Sequence, residues 1–538
     1  MPLHNDLEPN YIENIDQINN NDLNIQSITQ HILDTLDHNI TQNSDKNILP
    51  SHIDYSNIGF VISISDNIVN ITGLYSVAFS EMVEILTGEN TYAAGMVLNI
   101  EVDKVSAIIF NGDMDVKPGQ FVFGTGNLMR VPVGDALLGR IVDPLGNPLD
   151  SLGSIKSDDF RLMDSIAPSI ISRKSVNTPL ETGLKVIDSI VPIGHGQREL
   201  IIGDSKTGKT SIGIDSILNQ SNTDTINIYV AIGQKRSSVT RLKNVLIVNN
   251  CLKSSLIVAA TASDPASLQF IAPYCATSMG EYWMGNGLRV LMIYDDLSKH
   301  AVAYRQISLL IRRPPGREGY PGDVFYLHSR LLERSANLKT DASITSLPII
   351  ETIQGDVSSY IPTNVISITD GQVFLDTDLF SRGIRPSVSP GLSVSRVGSA
   401  AQSKTIKQMA GSLKLESAQY REVEDFAKLG LSLDDATKLV LDRGSRLTRI
   451  LIQSRFNPLA IYKQILLLFS ALNGYLDPIS IDKVNIFENK FYGYVNQSLF
   501  DLPLSKSLSK KLSVTIVTFL VWNFTLEFLK RNIFNIIN

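Results

Sequence analysis

Residues Gly203-Asp204-Ser205-Lys206-Thr207-Gly208-Lys209-Thr210 match the pattern G-x-x-x-x-G-K-[ST]. Glycines at those two places let a backbone curl until its N–H groups converge on phosphate oxygens. A helix starting at the end of the loop adds its partial positive charge. Lys209 then reaches the β- and γ-phosphates, and the Thr210 hydroxyl can ligate Mg²⁺. Ser211 follows directly, at the start of the same helix. The chemistry these residues suit is the binding of a nucleoside triphosphate.

A second acidic group is expected at the end of a neighbouring strand. The run Arg289-Val-Leu-Met-Ile-Tyr-Asp295-Asp296 is apolar until it ends in two carboxylates. Asp295 is the expected holder of the Mg²⁺ hydration shell. Hydrolysis also needs a group that orients and deprotonates water, usually a carboxylate after a third strand. Here the run Ile226–Ile232 leads into Gly233-Gln234-Lys235-Arg236. The Gln234 amide can hydrogen-bond a water but cannot take its proton. Tight nucleotide binding with poor turnover is therefore expected, with Glu281 and Asp264 as possible substitute bases.

These residues need elements to hold them. An apolar strand at Glu199–Ile202 runs into the loop, and a helical stretch, Thr210–Leu218, leaves it. Strand-like runs at Ile226–Ile232, Leu256–Ala260 and Val290–Tyr294 alternate with helical stretches such as Pro265–Met279. That alternation predicts a mostly parallel α/β sheet over residues 129–402. Residues 55–128 read as a small β-barrel, with short strands at Phe60–Ile64, Ile68–Ile71, Met82–Leu86, Met96–Ile100 and Ala107–Phe110. Residues 403–538 read as an α-helical bundle, with helical spacing through Phe426–Leu441 and Ala460–Leu472. The uncharged run Leu512–Leu526 falls short of the ~20 residues needed to span a bilayer, so a buried helix is expected there.

The chain has 538 residues, 48 Lys and Arg against 54 Asp and Glu, 43% apolar and 7% aromatic residues. The apolar share is too ordinary for a polytopic membrane protein. Cys251 and Cys275 form neither a disulfide framework nor a zinc spacing. Residues 1–50 form an acidic tail: eight acids and no Lys or Arg fall within residues 1–45. The remaining residues set 48 cations against 46 acids, a balance of +2, so the net −6 belongs to the tail. Within the tail, Ile25, Ile28, Ile32, Leu36 and Ile40 make an apolar helical stripe suited to docking on another subunit. The barrel region lacks interleaved basic and aromatic residues, which argues against nucleic-acid binding.

Longer blocks carry more information than the phosphate loop. GDSKTGKTSIGID, AIGQKRSSV, MIYDDLSKHAVAYRQISLLIRRPPGREGYPGDVFYLHSRLLERSA, GIRPSVSPGLSVSRVGSAAQ and LDRGSRLTR resemble the alpha-subunit family of F-type ATP synthases over roughly residues 58–480. The resemblance implies a non-catalytic Mg-ATP site in a proton-driven rotary synthase. It assigns nucleotide (ATP or ADP) to Gly203, Lys206, Thr207, Gly208, Lys209, Thr210, Ser211, Gln234, Arg385, Gln453 and Arg455, and Mg²⁺ to Thr210 and Asp295. Gln234 stands where the catalytic beta partners carry a glutamate. Arg396 matches the arginine inserted into a neighbouring beta site, and Ser393 a residue needed for activity. The family's Arg-Gln becomes Ser205-Lys206 here, and its Gln-x-Gln becomes Gln453-Ser454-Arg455.

The resemblance further implies an alternating ring of three alpha and three beta subunits around a gamma stalk, with a peripheral stalk contacted through the N-terminal helix. No nucleic acid is expected, and membrane contact only through the complex. The Asn- and Ile-rich usage and the lack of a basic presequence suggest an organelle-encoded or bacterial product. The expected place is the matrix side of the mitochondrial inner membrane, or else the cytoplasmic side of a bacterial plasma membrane. Other hexameric ATPases, RNA translocases or secretion ATPases, form the alternative class.

Overall fold

A computed structural model describes residues 57–88, 91–157, 159–221, 223–428 and 434–500. The expected N-terminal stripe and the run Leu512–Leu526 lie outside them. The first unit is a closed six-stranded barrel: β1 (Ile58–Ser65), β2 (Ile68–Gly73), β3 (Glu81–Leu86), β4 (Tyr92–Ile100), β5 (Val105–Ile109) and β6 (Phe121–Leu128), in the order β1-β2-β5-β4-β3-β6. Alternate side chains point inward, so Val61, Val69, Ile71, Val83, Ile85, Val97, Ala107 and Val122 fill the barrel. Sequence reading missed β6, because Gly124 and Gly126 interrupt its alternation.

The central unit is an eight-stranded sheet of β7 (Ile141–Val142), β8 (Leu200–Asp204), β9 (Thr225–Gln234), β10 (Ser255–Thr261), β11 (Arg289–Asp295), β12 (Ser343–Thr352), β13 (Gly371–Leu375) and β14 (Val394–Ser395). Their spatial order is β14-β13-β8-β12-β11-β9-β10-β7. All neighbours are parallel except β13 and β14. Parallel strands are covered on both faces, which is why they read as continuous apolar runs. Ile201, Ala231 and Ile293 face Ile212 and Ile217 of α1 (Lys209–Asn219). Ile202, Ile228 and Met292 face the opposite layer, where Phe270, Ala276 and Met279 of the helix Ala266–Gly285 pack.

The last unit is helical: Lys404–Lys428, Asp435–Leu451, Ile461–Leu472 and Val484–Phe500. The run Phe426–Leu441 is not one helix, since Asp434 caps a new one by accepting from the Thr437 N–H. A buried ion pair, Lys185 Nζ to Glu488 Oε1 at 2.7 Å, ties this unit to the central one. No helix among the described residues is long and apolar enough to cross a membrane. The sequence thus yields the expected class: a β-barrel, a mostly parallel α/β domain and a helical region.

Candidate functional site

The phosphate loop links the carboxyl end of β8 to the N-terminus of α1. Gly208 sits at φ 104, left-handed, with no atom within 4 Å of where a Cβ would stand. That open cradle is what a phosphate needs. Lys206, at the loop's tip, also takes φ 65, which costs a side-chain-bearing residue of order 1–3 kcal/mol. Thr207 is buried and its hydroxyl donates to Asp204 O at 2.8 Å, bracing the turn.

Lys209 is 8% exposed, and its ammonium donates to Gly203 O at 2.8 Å and Asp204 O at 2.5 Å. Burial pulls its pKa down, and the charges of Glu351, Asp296, Asp295 and Asp204 work against that shift. The strand order explains the convergence. β12 and β11 lie between β8 and β9, so the ends of β8, β12, β11 and β9 form one row.

Asp295 is the hub of the row. Its Oδ2 accepts from the Thr210 hydroxyl at 2.7 Å and from the Tyr229 phenol at 2.5 Å. Its Oδ1 accepts from the Gln234 amide at 3.0 Å. Burial, with the Asp295 charge adding, holds the Tyr229 phenol well above its ordinary range, so it stays a donor. Asp296 has a different task. Its Oδ1 caps the helix Leu297–Leu310 at Lys299 N, 2.8 Å, and its Oδ2 meets Lys299 Nζ at 2.8 Å.

A hydroxyl and a carboxylate 2.7 Å apart beside an open phosphate cradle form the hard oxygen set that Mg²⁺ prefers. The residues present therefore fit a nucleotide with its metal. Thr210, Ser211, Tyr229, Gln234, Arg241, Arg455 and Phe456 are among the residues lining a cavity of about 210 Å³ next to the loop. Larger clefts of about 460 and 490 Å³ border the barrel and hold no loop residue.

The remaining candidates divide. Arg385 is exposed, with its guanidinium 4.3 Å from the Phe380 ring centroid, and Ser387 Oγ donates to Thr207 O at 3.2 Å. That brings the Arg385 segment against the loop. Gln453 is buried and spends its amide on main chain: Oε1 accepts from Lys185 N, while Nε2 donates to Gly183 O and Asn457 O. It shapes the turn that presents Arg455, which is exposed, 5.6 Å from the Phe456 ring centroid.

Arg396 does not join this group. It directly follows Ser395, which pairs with Gly371 at the amino end of β13. The phosphate loop leaves the carboxyl end of β8, beside Leu375. At ~3.3 Å per residue, those ends of β13 are roughly 13 Å apart. Arg396 is exposed, and among the described residues its guanidinium has no hydrogen-bond partner. Ser393 is buried; its Oγ accepts from Phe374 N at 2.9 Å and fixes the turn leading to Arg396.

Glu281 and Asp264, expected as possible substitute bases, are engaged elsewhere. Glu281 is locked to the fully buried Arg334 by contacts of 2.7 and 2.9 Å, because an apolar layer tolerates that cation only when paired. Asp264 Oδ2 accepts from Thr261 N and Oγ1, closing the turn after β10. Sequence reasoning missed Tyr229, whose strand looks merely apolar. It also missed Glu351, the next-to-last residue of β12, opposite Gly203. A carboxylate closing a strand that neighbours the loop strand was the available signal.

Comparison with known families extends over most of the protein. Residues 54–126 match the beta-barrel domain of the ATP synthase alpha/beta family. Residues 183–395 match the nucleotide-binding domain of that family, and residues 402–519 match its C-terminal domain. The three matches follow the same order as the barrel, the sheet bearing the phosphate loop, and the helices, and so the protein belongs to the ATP synthase alpha/beta family.

Proposed function

We propose that the protein is the alpha subunit of an F-type ATP synthase, binding Mg-ATP at a non-catalytic site and lending Arg396 to the catalytic site of an adjacent beta subunit. The observation that carries the reading is the position of Arg396, exposed and about a strand's length from this subunit's own phosphate loop. A guanidinium there is poorly placed for its own nucleotide and left free for a neighbour's. Donated in trans, such an arginine neutralises charge developing on the γ-phosphoryl and can be worth ~10³–10⁵ in rate.

Gln234 supports the non-catalytic half. Its NH₂ is committed to Asp295, and an amide does not accept a proton at accessible pH. Thr210 and Asp295 would hold Mg²⁺, which when bound supplies neutralising charge between phosphate oxygens. Lys209 and the loop N–H groups would bind the phosphates, and Ser211 and Arg455, which line the adjoining cavity, would meet the rest of the nucleotide, with Arg385 nearby.

The wider assembly belongs to the same reading: an alternating alpha–beta ring, a gamma stalk, and a peripheral stalk met through the N-terminal stripe. Its place would be the matrix side of the mitochondrial inner membrane, or the bacterial equivalent. An RNA-translocating role is disfavoured by the barrel. Residues 57–128 carry only Lys104 and Lys117 against eight carboxylates, whereas phosphate backbones demand cations.

One observation favours a second reading. Glu351 lies close enough to act electrostatically on Lys209, and a carboxylate there could serve as base. The test is turnover by the purified protein. The proposed role requires Mg-ATP binding with almost no hydrolysis; brisk hydrolysis abolished by Glu351→Gln establishes the alternative. In the assembled complex, Arg396→Ala is expected to abolish activity while this subunit's nucleotide binding persists.

A further inference from the structure

At the end of the sheet remote from the phosphate loop, Glu199 precedes β8 and is fully buried. Its Oε2 accepts from Gln197 Nε2 at 2.7 Å, and its Oε1 has no hydrogen-bond partner among the described residues. Gly371 makes the space it occupies. A Cβ there would lie 2.5 and 2.9 Å from the two carboxyl oxygens and 2.3 Å from Val394 O. The acid thus sits in a niche built into the β13–β14 pair.

That pair carries Arg396. Gln197 Nε2 also reaches Ser395 Oγ at 3.1 Å, Ser395 Oγ donates to Pro192 O at 2.8 Å, and Arg396 N donates to Asp370 O at 2.8 Å. The strand is therefore clamped immediately before the arginine's Cα while the guanidinium stays uncommitted. The nearby cation Arg198 is already bound, to Asp370 at 2.8 Å and Glu333 at 2.5 Å. Burial raises the Glu199 carboxyl well above its ordinary range and the Asp370 charge adds to that. The Gln197 hydrogen bond and the Arg396 charge pull the other way.

We propose that Glu199 is a positioning residue for Arg396, its buried, unpartnered Oε1 being the resting seat to which the guanidinium retracts from a neighbouring subunit's site. The inference rests on the trans role of Arg396 proposed above. While Glu199 is protonated the seat is neutral and the arginine is free to extend. When the proton leaves to solvent, the buried anion draws the guanidinium back, so extension falls as pH rises.

The experiment is steady-state ATP hydrolysis by the assembled complex as a function of pH. Wild-type kcat is expected to fall about tenfold per pH unit beyond the titration of the carboxyl. Glu199→Gln keeps the size and the acceptor for Gln197 but cannot ionise, so its kcat should stay flat with KM unchanged. A Glu199→Gln profile superimposable on wild type overturns the proposal, and so does an effect on KM alone. Should that variant fail to assemble, Glu199→Asp draws the carboxylate back by one methylene and should shift the midpoint of the decline; an unshifted midpoint overturns the proposal. Arg396→Ala separates the two levels. Full activity in that variant removes the trans role and the seat together. An inactive Arg396→Ala beside an unchanged Glu199→Gln profile removes only the seat.

Discussion

Tyr229→Phe tests whether Asp295 is held as the geometry implies. Tyr229 is 4% exposed, and its O–H donates to an Asp295 oxygen at 2.5 Å. A hydrogen bond to a charged acceptor contributes about 1.5–3 kcal/mol net, against about 0.5–1.5 kcal/mol for a neutral pair. Removing the hydroxyl leaves Asp295 with the Thr210 hydroxyl and the Gln234 amide, so the carboxylate is not orphaned and the loss stays within the first range. That is roughly 10- to 150-fold in the unfolding equilibrium. Tyr294→Phe supplies the internal control. Tyr294 is equally buried, on the adjacent strand β11, but its hydroxyl meets neutral groups, Thr277 Oγ1 at 2.9 Å and the Met292 sulfur at 3.6 Å. Thr277 retains the Pro273 carbonyl after the substitution, so a loss of about 0.5–1.5 kcal/mol is expected. Urea titrations with unchanged m-values should rank Tyr229→Phe clearly above Tyr294→Phe. Equal losses would refute the charge-assisted bond. A Tyr229→Phe loss under about 0.5 kcal/mol would mean that no bond to Asp295 is formed.

Two further perturbations probe buried polar groups away from the site. Arg334→Met takes the cation from the buried Glu281 carboxylate, leaving it the Ser165 hydroxyl, and should cost about 3–5 kcal/mol, whereas pairing it with Glu281→Leu should recover much of the loss; a double mutant no better than the single one contradicts the lock. Burial pulls His300 down to about 4 and His328 to about 3, the charge of His300 adding to the second. From an ordinary 6.5, their stabilisation is fully present above that pH and is lost as pH falls toward 4, because the unfolded state takes up protons that the folded pair refuses. Glu181 and Asp215, both pushed up to about 7 by burial, act in the opposite sense, so the wild-type curve mixes both effects. His328→Asn isolates one histidine: its stability should fall less steeply between about pH 6 and 4, by up to about 1.4 kcal/mol per pH unit, and parallel curves would count against the buried-pair account.

What could be read in the sequence follows from how far each feature reaches along the backbone. The phosphate loop is contiguous, and strand, turn and helix are local decisions; Gly208 and Lys209 were therefore legible. Asp295 and Gln234 were legible because parallel strands end in one row, so a residue's place at a strand's end fixes its place in the site. Tyr229 was not, since one phenol in an apolar strand carries no mark until β11 is laid beside β9. Glu281 was misjudged for a related reason: its partner Arg334 lies 53 positions away, and only the packed layer shows that the acid is spent. Arg396 is the instructive case. Its motif was visible, but its place depends on β14 running antiparallel to β13, which sets Ser395 against the amino end of that strand while the phosphate loop leaves the carboxyl end of β8. A parallel edge strand would have carried the arginine toward its own nucleotide. The reversal of one two-residue strand leaves Arg396 exposed beside the amino end of β13, and the trans role proposed above rests on that placement.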